Sequence, residues 1–137
     1  MYVSGAINPN SLVGMQKANR LYEQIRQRKS DYINVASNTG FSLEQCKCIK
    51  NYIFMDMHEL STGYERFIPD LAIAQSWLRL AERSGKNIQK HDVILLYHEL
   101  SELIYLLQNT NSHQQEAHHY AELKYNYAKA CELYYKG

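Results

Sequence analysis

A chain of 137 residues carrying 15 Lys and Arg against 14 Asp and Glu is long enough for one domain with a core, and too short for two. Its 45% hydrophobic and 21% charged residues exclude a disordered tail, a collagen-like chain and a highly charged coil. A formal net charge of +1 excludes a polybasic phosphate binder while leaving room for a local basic patch.

Residues 1–10 read as an irregular N-terminal arm, because Asn8-Pro9-Asn10 blocks a helix. Met1 to Ala6 has no basic segment leading into an apolar run, so no signal peptide is visible, and the chain is equally compatible with a piece of a longer protein. Residues 11–137 read as one helical domain. From Ser11, the apolar residues Leu12, Met15, Leu21, Ile25, Tyr32 and Val35 recur at helical steps, with Arg20, Arg26, Arg28 and Lys29 decorating the helix, until Ser37-Asn38-Thr39-Gly40 stops it. Ser42 and Gln45 form a capping box that opens a second helix, running to about His58. Ser61-Thr62-Gly63 breaks the pattern and Tyr64 to Pro69 reads as loop. Asp70 caps a third helix, Leu71 to about Arg83, which Ser84-Gly85 ends. Asp92 is placed to cap a fourth, Val93 to about Leu107, and Ser112 with Gln115 to open a fifth, His113 to about Tyr135. With only six Gly and two Pro there are few sharp corners, so the expected fold is all-α, a compact bundle of about five helices with no sheet. No run approaches the roughly 18 apolar residues of a membrane span, so no membrane partner is expected.

Three cysteines, Cys46, Cys48 and Cys131, are an odd count without a disulfide framework, which favours free thiols and a reducing compartment. A zinc site built from them and a His lacks the usual C-x₂₋₄-C spacing.

The fourth helix carries the most chemistry. Val93, Leu96, Tyr97, Leu100, Leu103, Ile104 and Leu107 share one broad apolar face. Opposite them His91, His98, Ser101, Glu102 and Tyr105 form a narrow polar stripe between Ile94, Leu95 and Leu106. The stripe reads either as a solvated face or, given apolar residues on both sides, as the wall of a cleft. His98 and Glu102 are four apart and meet on one face; a carboxylate neighbour fixes the tautomer of a His, which general acid or base chemistry needs. The string His98-Glu99-Leu100-Ser101-Glu102 departs from the zinc motif H-E-x-x-H at its last residue, yet a His and a carboxylate still bind metal, with His118 from the next helix as third ligand. His118 and Glu122 make another pair four apart. Arg66 and Arg79 are candidate phosphate contacts. Tyr120, Tyr127 and Tyr134 repeat every seven residues, as a packing seam or a stacking surface. Seven of the 12 Tyr follow residue 96, on the helices of His98 and His118. No G-x-G-x-x-G, P-loop or G-x-S-x-G motif is present in the sequence.

The pieces Ile49-Lys50-Asn51-Tyr52-Ile53-Phe54 with His58, Arg66-Phe67-x-Pro69-Asp70, and Ile73-Ala74-x-x-Trp77-x-Arg79-Leu80 lead into His91-Asp92-Val93-Ile94-Leu95-Leu96-x-His98-Glu99-x-x-x-Glu102. With Glu116-Ala117-His118 and Tyr125-Asn126-Tyr127, the stretch 49–127 resembles a C-terminal domain of bacterial phage minor head proteins and secreted polymorphic toxins, mostly Gram-positive. The resemblance implies a toxin-like effector at the end of a larger secreted or phage-encoded protein, acting in the bacterial cytoplasm and matched by an immunity protein. Its shared polar residues His58, Arg66, Arg79, His98, Glu99, Glu102 and His118 are the implied site.

Three functions follow as expectations. The first is a cofactor-free hydrolase of nucleic acid, an RNase, with His98 and His118 as acid and base, Glu99 and Glu102 beside them, and His58, Arg66, Arg79 and Tyr105 holding substrate. The second is a peptidase-like hydrolase holding zinc or another divalent metal on His98, Glu102 and His118. The third is a non-catalytic helical module of a phage or secretion particle, in which His98 and Glu102 are solvated apart from His118.

Overall fold

A computed structural model describes residues 10–135; all but the last residue of the predicted N-terminal arm lie outside them. The described chain is mostly helical, with seven α-helices where five are expected: α1 (Leu12–Gln27), α2 (Asp31–Thr39), α3 (Leu43–Lys50), α4 (Leu71–Leu80), α5 (Lys90–Gln108), α6 (Gln114–Lys124) and α7 (Tyr127–Tyr135). The expectation of no sheet is also corrected. β1 (His58–Leu60) and β2 (Gly63–Glu65) pair antiparallel in the register His58↔Glu65, Glu59↔Tyr64 and Leu60↔Gly63. Ser61 and Thr62, read from sequence as a helix breaker, are the turn, and Gly63 at φ +129° takes a conformation that a side chain resists.

The extra helices come from breaks that tertiary partners impose. At Arg28 the backbone turns extended, and its carbonyl accepts a hydrogen bond from the buried Lys50 ammonium. At Tyr125 the chain leaves the helix and its carbonyl accepts from the His98 ring. In both places an α-helix would have used that oxygen itself. The second predicted helix also ends early: α3 passes into a π-helical turn, Asn51–Met55, and the chain is strand by His58.

Caps agree in part with the sequence. Ser42 and Gln45 form their capping box, and Asp70 accepts from Ile73 N at 3.1 Å. Asp92, in contrast, is the fourth residue of its box: Gln89 is the N-cap, and Asp92 Oδ2 accepts from Gln89 N at 2.8 Å. The box predicted to open the fifth helix is absent, with His113 as the N-cap of α6 and no side-chain cap bond there. Gly85 lies beyond the end of α4, whose last carbonyls are satisfied from α2. Asn38 Nδ2 donates to Leu80 O at 2.9 Å and Asn34 Nδ2 to Ala81 O at 3.1 Å.

The core gathers Tyr22 and Ile25 of α1, Val35 of α2, Ile49 of α3, Phe54 of the π-turn, Trp77 and Leu80 of α4, and Leu96 of α5 around one centre. A smaller cluster joins Leu95 to Tyr127 and Cys131. Cys46 and Cys131 are buried in these separate clusters and Cys48 is exposed, so no metal site forms from the cysteines among the described residues. No helix among the described residues is long and apolar enough to cross a membrane.

Helix α5 is the axis of the molecule, touching α3, α4, α6, α7 and the π-turn. It is buried on two sides rather than one, since Leu96 sits in the main core with Val93, Leu100 and Leu103 packed against it. His91, Asp92, Leu95, His98, Glu99 and Glu102 are buried, while Tyr97, Ile104 and Leu107 are exposed. The polar stripe therefore faces inward. The solvated-face reading is corrected, because α6 and α7 pack on that side and the polar groups find partners on α4, the π-turn, α6 and the turn before α7.

Candidate metal centre

Three candidate residues meet at one point. His98 and Glu102 stand one turn apart on α5, and His118 comes from α6, which packs along α5. His98 Nε2 lies 2.7 Å from Glu102 Oε2, His118 Nδ1 lies 3.1 Å from the same oxygen, and the two ring nitrogens are 3.2 Å apart. His98 is 4% exposed and Glu102 2%, whereas the His118 side chain is 49% exposed. The cluster is thus sealed on one side and open on the other.

Each of these three atoms is aimed by a second contact. A carbonyl can only accept, so His98 Nδ1 carries a proton toward Tyr125 O, 2.7 Å away, which turns Nε2 to the centre. Glu102 Oε1 accepts from the Tyr52 hydroxyl at 2.8 Å and from Gln114 Nε2 at 3.0 Å, leaving Oε2 to the two histidines. His118 Nε2 points away, 3.9 Å from Glu122 Oε2. Metal-binding histidines are commonly held this way, the outer ring nitrogen facing a carbonyl or carboxylate.

The electrostatics fit a carboxylate kept ionised in the interior. Burial pushes Glu102 upward, but hydrogen bonds from His118, His98 and Tyr52 outweigh it and hold its pKa at about 2. The hydrogen bond to Glu102 raises His118 above its ordinary value. Burial, then the charge of Glu102, then Asp70, push Glu99 well above the usual carboxylate range. Burial beside Glu102 likewise raises Tyr52, which keeps that hydroxyl a donor.

The other sequence candidates are placed elsewhere. Arg79 closes a buried pair with Asp92 through two bonds of 2.8 Å and donates to His91 Nε2 at 3.0 Å. Its charge is thereby matched inside the fold. Arg66 is exposed and donates to Met55 O at 3.2 Å. His58 stacks on Phe67 with centroids 3.9 Å apart and donates from Nε2 to Tyr52 O at 2.8 Å, so it buttresses the residue that holds Glu102. Tyr105 packs on Tyr120, outside the cluster. The Tyr120, Tyr127 and Tyr134 seam is divided by the break at Tyr125: Tyr127 is buried, its hydroxyl 2.7 Å from Ser76 Oγ, while Tyr120 and Tyr134 are exposed.

Sequence reasoning missed Tyr52, Gln114 and the Tyr125 carbonyl. Gln114 carried a usable signal, since it precedes His118 by four residues and shares its face of α6. Tyr52 carried none, because the π-turn that aims it inward leaves no periodic trace. Comparison of the chain with protein-family models, curated proteins and solved structures finds no match.

Proposed function

We propose that this domain is a metal-dependent hydrolase whose centre is His98 Nε2, Glu102 Oε2 and His118 Nδ1. The observation that carries the reading is the mutual spacing of these atoms, 2.7, 3.1 and 3.2 Å, supplied by two helices. Ligand atoms around tetrahedral zinc stand roughly 3.3 Å apart, given bonds of about 2.0–2.1 Å. Two histidines and one carboxylate leave a further coordination position, and the half-exposed side of His118 is where it meets solvent. Zinc or another divalent ion held there would polarise a water and a substrate carbonyl or phosphoryl oxygen. As a toxin-like effector of the kind the resemblance implies, the domain would be delivered by a larger protein and restrained by an immunity partner.

This reading is favoured over paired acid and base catalysis by His98 and His118. An acid and a base acting on one phosphodiester must flank it, whereas these nitrogens face one carboxylate oxygen 3.2 Å apart and His98 is buried. A second, metal-free reading rests on a different feature. With Nδ1 on Glu102 and Nε2 outward, His118 has the layout of a carboxylate-oriented general base, suited to a nuclease. The two separate on one experiment: hydrolysis by purified protein, after chelation and after zinc is restored. Loss on chelation and recovery with zinc are expected; undiminished activity in chelator would overturn the metal reading in favour of the second.

A further inference from the structure

We infer that the substrate of this centre is an extended polypeptide, seated in the groove between the β1–β2 hairpin and the start of α6. The inference rests on the metal-hydrolase reading and gives it a substrate class. The groove encloses 720 Å³, and its lining includes Glu59, Leu60, Tyr64, Phe67, Ile68 and Gln114. Gln114 ties it to the centre, since its amide donates to Glu102 Oε1 at 3.0 Å and His118 follows one turn later on the same face.

Three properties of the groove select the substrate. Among the described residues no Lys or Arg lines it, and Glu59 does, so a polyanionic strand would meet no countercharge there. Five cations gather elsewhere: Arg26, Arg28, Lys29, Lys47 and Lys50 line a separate hollow of 280 Å³ beside Asn51 and Met55, at the ends of the π-turn whose second residue Tyr52 serves the centre. Second, β1 and β2 pair only with each other among the described residues, so each keeps an outer edge of unpaired N–H and C=O groups. Such an edge binds an extended chain by adding it as a further strand. Third, Ile68 is 74% exposed and Tyr64 68%, apolar surfaces of the size that receives a substrate side chain. The reaction is amide hydrolysis. The oxygen of one water bonds to the scissile carbonyl carbon, the C–N bond breaks, and both protons of that water end on the leaving amine, giving a carboxylate and an ammonium.

The test incubates zinc-loaded protein with a pool of short, unstructured, fluorescence-quenched peptides and, separately, with single-stranded RNA of similar length. Zinc content is measured on the same samples. Cleavage of peptides with intact RNA is expected. Ile68→Glu, exposed and remote from the ligands in sequence, should raise KM about tenfold while kcat and zinc content hold. Bound zinc with RNA cleaved and peptides intact would overturn the polypeptide inference and leave the metal centre standing, as would bound zinc with neither cleaved. Failure of the protein to hold zinc would overturn the metal reading and this inference with it.

Discussion

Asp31 at the start of α2 and Glu102 in the middle of α5 are both buried carboxylates, and they are satisfied in opposite spirit. Asp31 accepts from Lys50 Nζ at 2.6 Å and from Trp77 Nε1 at 2.9 Å, and Lys50 also donates to the carbonyl freed at the α1–α2 break. Every nitrogen there is a permanent donor, and the Lys50 and Asp31 side chains are 6% and 5% exposed. Glu102 also has a partner anchored by a carbonyl freed at a helix break, His98 on Tyr125. Two of its four partners are imidazoles, which can offer a lone pair in place of a proton, and one of them stands half in solvent. A buried charge with fixed donors on every side is a lock between helices. A buried charge with exchangeable donors and one open wall is a place where something else can bind.

The contrast gives an ordered set of expectations. Asp31→Ala, which strands the Lys50 ammonium and the Trp77 N–H, should cost about 3–5 kcal/mol in chemical denaturation. A loss below about 1 kcal/mol would remove the distinction between lock and site. Glu102→Gln should do the reverse: a smaller loss of about 1–3 kcal/mol for the metal-free fold, but at least a 100-fold fall in zinc affinity, on the order of what even outer partners command. Gln114→Leu, which removes one donor from Glu102 Oε1, should weaken zinc by about tenfold at under about 1.5 kcal/mol of stability. Calorimetric titration of each variant separates the two readouts.

The smallest effect concerns a third buried carboxylate, Asp92, and its neighbours Arg79 and His91. Burial, outweighing the pull of Asp92 and aided by Arg79, lowers the His91 pKa below 6.5. The folded protein then binds fewer protons at His91 than the unfolded chain does. This contribution is fully present above pH 6.5 and is lost as pH falls through 6.5 toward the folded value. His91→Gln should flatten the stability slope on the acid side of 6.5 relative to the parent protein. An unchanged slope by thermal melts across that range would assign the titration elsewhere.

The features legible in the sequence are those set by spacing along one helix or by local caps. His98 with Glu102, and His118 with Glu122, are pairs four apart, and helical geometry alone brings the members of each together. The stop at Gly40, with φ +82°, and the caps at Ser42 and Asp70 are likewise local chemistry. What the residues could not reveal depends on other elements. Reading α5 by its apolar face puts Leu107 inside, yet it is 77% exposed, because other elements supply partners for the polar stripe and none among the described residues covers Leu107. The breaks at Arg28 and Tyr125 carry no Gly or Pro; distant Lys50 and His98 claim those carbonyls. The hairpin, three residues a side, is too short to show alternation.

The metal-centre proposal requires His98, Glu102 and His118 to hold one divalent ion together. Its most direct measurement is a zinc titration of chelator-stripped protein beside His98→Ala and His118→Ala, with helical content checked by circular dichroism. One zinc per chain is expected in the parent protein, with loss of that site in each folded variant. A parent protein that takes up no zinc, or a His118→Ala protein that binds it equally well, would contradict it.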